Sequence, residues 1–202
     1  QFLDCATTEI PRSRRQRSRS TERPWAPTAA AATTATQRMS RIVVGLGSNV
    51  NEPLRQLKTA FRHFADHPHL DPINASHVYL SAPQGPQDQP DFYNAAALIN
   101  TTLPPRDVMA WLLSTEQAMG RTRLRRWGER CIDLDLLLYD EIQMDCDLLT
   151  LPHPRAHERR FVLDPLIELL GEDYDLPGRG PLHSLRSQCA TQTIHVFCEF
   201  PR

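Results

Sequence analysis

From Arg41 onward, short β-branched runs trade places with segments of helical period in the order strand, helix, strand, strand, helix, strand. Few folds accommodate that order. RIVVGLGSN (41–49) reads as a strand closing in a Gly-x-Gly-Ser-Asn turn. In EPLRQLKTAFRHFADH, Leu54, Leu57, Phe61 and Phe64 recur every three or four residues behind Pro53, which predicts an amphipathic helix. INASHVYLS (73–81) and FYNAAALINT (92–101) read as the second and third strands, parted by the Pro-, Gly- and Gln-rich loop APQGPQDQPD. PPRDVMAWLLSTEQAMG predicts a second helix with Val108, Trp111, Leu112, Thr115 and Met119 along one face and Gly120 as its stop. CIDLDLLLY (131–139) is the fourth strand. The expected class is α+β, a ferredoxin-like βαββαβ plait with additional C-terminal elements. Those additions are a loop and short helix in LTLPHPRAHERRFVLDPLIELL, and an edge strand in TIHVFCEF.

Residues 1–40 differ in kind. PRSRRQRSRSTERP and APTAAAATTATQ offer almost no large apolar side chains, too few to offset chain entropy by burial, so a disordered tail is expected there. Met39 stands just before the first strand, so the tail reads as linker or as sequence upstream of the start; its Arg, Ser and Ala content also resembles a transit peptide. The tail holds seven Arg against three Asp or Glu, a local +4, so the net charge of -1 leaves -5 on residues 41–202. The body therefore lacks the basic footprint of a nucleic-acid binder. No run approaches the ~20 apolar residues that a membrane span needs, which points to the cytoplasm. The five cysteines form no C-x-x-C pair and suit reduced thiols; Cys131 reads as a small buried hydrophobe.

The chemistry concentrates in RRWGERCIDLDLLLYD. Residues two apart on a strand share a face, so Asp133 and Asp135 lie side by side while Ile132, Leu134 and Leu136 face the core. Adjacent carboxylates repel and are costly to bury unpaired, which calls for a cation between them. With only two carboxylates, water and substrate oxygens would complete the coordination, the habit of Mg²⁺ at phosphate sites. Arg121, Arg123, Arg125, Arg126 and Arg130 precede the pair, and guanidinium forks match phosphate oxygens. GLGSN lacks the G-K-[ST] ending of a phosphate-cradling loop, so either metal and arginine carry a phosphoryl or nucleotidyl transfer, or the arginines simply pair with the aspartates or form a solvated loop.

RWGERCIDLDLLLYD closely resembles the signature of the 6-hydroxymethyl-7,8-dihydropterin pyrophosphokinase family of folate biosynthesis. GLGSN, GPQDQPDFYNAA and LTLPHPRAHERRFVLDPL agree with other motifs of that family in order and spacing, over roughly residues 41–170. The resemblance implies a pterin pyrophosphokinase domain over 41–202. It would transfer pyrophosphate from ATP to the pterin hydroxymethyl group and release AMP. It further implies that Asp133 and Asp135 hold two Mg²⁺ ions, and that Arg121 and Arg130 contact phosphates as a loop closes. Glu116, His153 and Arg159 match ATP-binding positions. Phe92 and Phe161 match aromatics that sandwich the pterin, Asn94 an amide that reads its edge, and Trp127 a gating residue. Arg123, Arg125 and Arg126 remain unplaced against the family motif, because the loop before Trp127 looks one residue shorter than the familiar bacterial form. The implied partners are small molecules, with neither nucleic acid nor membrane, and the implied state is a monomer. Two other readings remain open on the residues alone. An RNA-binding plait would show RNP-like aromatics, absent from these strands, and another Mg²⁺-dependent nucleotidyl or glycosyl transferase could use the same D-x-D.

Overall fold

The structure, a computed structural model, describes residues 38–121 and 128–201. The expected tail, up to residue 37, and the positions Arg123, Arg125, Arg126 and Trp127 lie outside the described residues.

Strand β1 (Ser40–Ser48) is an interior strand of an antiparallel sheet. Its alternation sends Ile42, Val44 and Leu46 to one side and Val43, Gly45 and Gly47 to the other. Helix α1 (Pro53–Asp66) follows and buries Leu57, Ala60 and Phe64. Strands β2 (Leu70–Ala75) and β3 (Val78–Ser81) both pair with β4 (Phe92–Thr101), which returns beside β1. Helix α2 (Pro105–Ala118) buries Val108, Leu112, Thr115 and Glu116, and β5 (Asp133–Tyr139) pairs with the free side of β1. Both helices cover the face that carries Ile42, Val44 and Leu46, and each fully buried Leu, Ile or Phe there contributes roughly 1.5–3 kcal/mol.

The single strand expected over INASHVYLS is two strands. The pairing of β2 with β4 slips between Pro72 and Asn74, and Ser76 then intervenes. Its hydroxyl accepts the Ala96 N–H at 3.0 Å, while its own N–H donates to the Ala96 carbonyl at 2.9 Å. A side chain that occupies a ladder position ends one strand and lets the next begin.

Beyond β5 come a hairpin of β6 (Met144–Cys146) and β7 (Leu149–Leu151), a 3-10 turn at Ala156–Glu158 and helix α3 (Arg160–Leu170). A small ladder of β8 (Asp175–Leu176) and β9 (Gly180–Pro181), helix α4 (Leu182–Gln188) and β10 (Ile194–Cys198) complete the described chain. β10 is the expected edge strand and pairs with β3, giving the order β10-β3-β4-β1-β5. Val162, Leu163 and Leu166 of α3, with Leu182 and Leu185 of α4, cover the second face of the sheet. Glu168 ties α3 to β3 by accepting the His77 N–H at 2.9 Å and the Tyr79 hydroxyl at 2.9 Å.

The register of β5 carries one irregularity. Val44 faces Leu136 and Val43 faces Leu138, so Leu137 is an extra residue opposite β1. Leu134, Leu136 and Tyr139 enter the α1/α2 core, whereas Leu137 and Leu138 both join the α3/α4 core.

Candidate active site

Asp133 and Asp135 open β5 on the face turned toward α3, opposite Gly47 and Gly45 of β1. A Cβ at position 47 would stand 3.4 Å from Asn94 Oδ1 and 3.7 Å from Asp133 Cβ. At position 45 it would meet Leu137 Cδ1 at 3.3 Å. Gly47 thus leaves bare backbone as the floor of a cleft beside the carboxylates, while Gly45 makes room for the Leu137 side chain. Phe92, Asn94 and Ser81 on β4 and β3, Arg130 before β5, and Arg159 with Phe161 at the start of α3 complete its lining.

Charge inside the cleft is tightly paired around one acid. Arg121 Nη2 reaches Asp133 Oδ1 at 2.6 Å and Arg130 Nη1 reaches Asp133 Oδ2 at 2.5 Å. Arg121 also pairs with Glu116, whose carboxylate accepts the Leu134 N–H at 2.6 Å. Glu116 is buried on α2 beneath Arg121 and does not border the cleft with Phe92 and Phe161. Burial works against the Arg121 charge, but the Glu116 hydrogen bond and Asp133 outweigh it and raise its pKa. Asp135 is different: burial, then the Asp133 charge, push its carboxyl up to about 7 despite Arg159 and Arg121.

The aromatic walls carry guanidinium groups. The Arg130 guanidinium carbon lies 5.7 Å from the Phe92 centroid, and that of Arg159 lies 5.6 Å from the Phe161 centroid. Asn94 Nδ2 donates to Ser81 Oγ at 3.0 Å and to the Phe92 carbonyl at 3.2 Å. Both donors are therefore engaged with protein, and Oδ1 is the end left beside Gly47.

His153 follows β7, its N–H donating to the Leu137 carbonyl at 2.9 Å. Its Nδ1 accepts the Arg155 N–H at 3.2 Å, so the neutral ring carries its proton on Nε2. Burial and the charges of Arg159 and Arg155 push its pKa down to about 4.

One side chain outside the sequence-based candidates organises two loops. Asn49 N–H donates to the Arg130 carbonyl at 3.2 Å, and Asn49 Oδ1 accepts the Arg130 N–H at 2.9 Å. Asn49 Nδ2 donates to Gln89 Oε1 at 3.2 Å and to the Pro90 carbonyl at 3.0 Å. The signal was present in GLGSN, where a polar residue ends a buried strand. The structure thus brings together Phe92, Asn94, Arg130, Asp133, Asp135, Arg159 and Phe161, sets Arg121 and Glu116 behind them, and leaves Trp127 outside the described residues.

Two carboxylates sharing one face, one of them with an elevated pKa, suit a divalent cation. Among the described residues no three His, Cys, Asp or Glu converge on a metal position. An oxygen-only pair would leave the rest of a cation's coordination to water or substrate oxygens, a donor set that Mg²⁺ accepts.

The family model described as 7,8-dihydro-6-hydroxymethylpterin-pyrophosphokinase matches residues 43–171. The chain belongs to that family. A Haemophilus influenzae protein named 2-amino-4-hydroxy-6-hydroxymethyldihydropteridine pyrophosphokinase is 42% identical over 156 residues, covering 77% of this chain and 92% of that protein. Its Pseudomonas aeruginosa namesake is 39% identical over 77% of this chain and 96% of its own length. The Pisum sativum mitochondrial folate synthesis bifunctional protein is 39% identical over 71% of this chain but only 28% of its own. Among solved structures, the wild-type Plasmodium falciparum HPPK-DHPS protein with pteroate superposes with a TM-score of 0.56 at 13% identity. That match covers 75% of this chain and 42% of the other, a likeness of fold. As a family member, the chain is a pterin pyrophosphokinase of folate biosynthesis, with ATP as co-substrate.

Proposed function

We propose that residues 41–202 form a Mg²⁺-dependent catalytic domain in which Asp133 and Asp135 hold two metal ions. The observation that carries this reading is the pair of carboxylates on one strand face above a side-chain-free floor, with Asp135 pushed up to about 7. Bound there, the metal would supply charge neutralisation along a triphosphate.

The remaining roles follow from what each side chain offers. Arg121 and Arg130 neutralise Asp133 through forks suited equally to phosphate oxygens; trading the carboxylate for phosphate keeps each guanidinium paired. His153, neutral and protonated on Nε2, donates a hydrogen bond to an anion without adding charge. Arg159 supplies a second phosphate contact, and Glu116 acts through Arg121. Phe92 and Phe161 offer two flat walls for a heteroaromatic ring. Asn94 presents an acceptor to a donor-bearing edge, such as the amide and amino N–H groups of a reduced pterin. Trp127, outside the described residues, carries the gating role only through its match to the family motif; in that role it would exclude water that could intercept the transfer.

The strand order, with β1 between β4 and β5 and both crossover helices, α1 and α2, packed on one face, supports a ferredoxin-like plait. We place the domain in the cytoplasm as a monomer, although relatives such as the pea protein are named as bifunctional and mitochondrial. No helix among the described residues is long and apolar enough to cross a membrane.

Product analysis tests the reading. With ATP, Mg²⁺ and hydroxymethyl dihydropterin, the nucleotide product should be AMP. Chelation should abolish turnover and added Mg²⁺ restore it. Asp133→Ala should lower kcat by orders of magnitude in a protein that still folds. Release of ADP alone, or full activity under chelation, would overturn it.

A further inference from the structure

The last thirty residues hold the least patterned sequence of the body, yet one of them touches three segments of the site. Gln192 lies just before β10. Its Oε1 accepts the Arg160 N–H at 2.9 Å and the Gln84 Nε2–H at 3.1 Å. Its Nε2 donates to the Glu158 carbonyl at 2.7 Å, and its backbone carbonyl accepts Arg160 Nη1 at 3.0 Å.

These bonds answer a specific deficiency. The first amides of a helix have no partner within it and are usually satisfied by a Ser, Thr, Asp or Asn at the N-cap. In α3 the N-cap is Arg159, an all-donor side chain that makes no capping bond. Gln192 caps the helix instead, from 32 positions further along the chain. Arg159 and Phe161, the two α3 residues that line the cleft, flank the capped residue. Glu158, held by the same amide, precedes them. Arg159 Nε is buried with no hydrogen-bond partner among the described residues, so its placement depends on the backbone beneath it. Gln84, the third segment, lines the cleft from the loop after β3.

We infer that Gln192 is a positioning residue for the reaction: it sets Arg159 and Phe161 by capping α3 and ties them to the Gln84 loop. The inference rests on the reading of Arg159 as a phosphate contact and Phe161 as a pterin wall. A sheet edge strand and its preceding turn, remote from the carboxylates in sequence, thereby become part of the substrate-binding apparatus.

Steady-state kinetics on the full chain with both substrates tests this. Gln192→Ala should raise the KM for ATP and for pterin roughly fivefold, the effect of losing a helix cap. Gln192→Met, which keeps the side-chain volume and deletes the hydrogen bonds, should behave alike if the alanine variant folds poorly. Gln192→Glu keeps the acceptor for Arg160 and Gln84 but turns a carboxylate oxygen toward the Glu158 carbonyl, so both KM values should fall between those of the parent and of Gln192→Met. Arg186→Ala, which breaks the 2.7 Å bond to Asp164 within the α3/α4 layer, should lower the melting midpoint without moving either KM. If Gln192→Met lowers only the midpoint, as Arg186→Ala does, Gln192 is structural and the inference fails. Arg159→Ala and Phe161→Ala, measured alongside, separate that failure from another. If neither shifts a KM, the assignment of the cleft is itself wrong; if both do while Gln192→Met does not, only the positioning role is overturned.

Discussion

Asp135 is the residue where the cost of the site is concentrated. Its carboxyl, normally near 4, is pushed up to about 7 by burial and by Asp133. The native protein therefore holds a proton that the unfolded chain has lost across that window. Stability falls as pH rises from about 4 to about 7, by at most about 1.4 kcal/mol per pH unit. Asp135→Asn removes this titration. Without divalent cation, the variant should melt several degrees above the parent at pH 8, with the gap closing at pH 4. Mg²⁺ should raise the parent's midpoint at pH 8 and leave that of the variant unchanged. His153 titrates in the opposite sense: with its pKa pushed down to about 4, it should stay neutral, with the proton on Nε2, from pH 8 to about 5. ¹⁵N NMR of its ring nitrogens reads this directly, and a midpoint near 6.5 would contradict it.

Among the elements, β1 shows how a strand can serve two faces unequally. Ile42, Val44 and Leu46 supply the first core, while Gly45 and Gly47 supply nothing but clearance. Gly47→Val should leave the first core intact and raise the pterin KM at least tenfold, because its branched side chain enters the space between Asn94 and Asp133. An unchanged KM would mean that the ring does not lie over this floor. Glu168, which joins α3 to His77 and Tyr79, tests the opposite layer. Glu168→Ala should cost about 1–3 kcal/mol in thermal or denaturant unfolding, because the His77 N–H and Tyr79 hydroxyl lose their acceptor.

The elements also show what the sequence discloses. Periodicity revealed the order of strands and helices, and the D-x-D spacing revealed the shared face of the acids, because both are local consequences of backbone geometry. Three features escaped it. The break at Ser76 depends on a hydroxyl meeting Ala96 twenty residues away, and the slip at Leu137 on a register that only pairing defines. Glu116 has a charge that suits a solvated residue, yet it stands one turn beyond Leu112, and Arg121 and the Leu134 amide hold it inward.

In the whole molecule, one sheet separates two layers with different duties. The α1/α2 face carries none of the cleft walls, whereas the α3/α4 face carries Arg159 and Phe161 and depends on the C-terminal segment through Gln192. A chain starting at Met39 should retain the parent's kcat and both KM values within about twofold, since the first described strand begins at Ser40. A tenfold loss on that deletion would show that residues 1–38 belong to the catalytic unit.

The bare floor at Gly47 bears on how the enzyme could be inhibited. A flat compound seated on its peptide groups would contact atoms that every amino acid shares. A resistant variant could not withdraw a side chain there, and adding one would narrow the space available to the natural substrate as well.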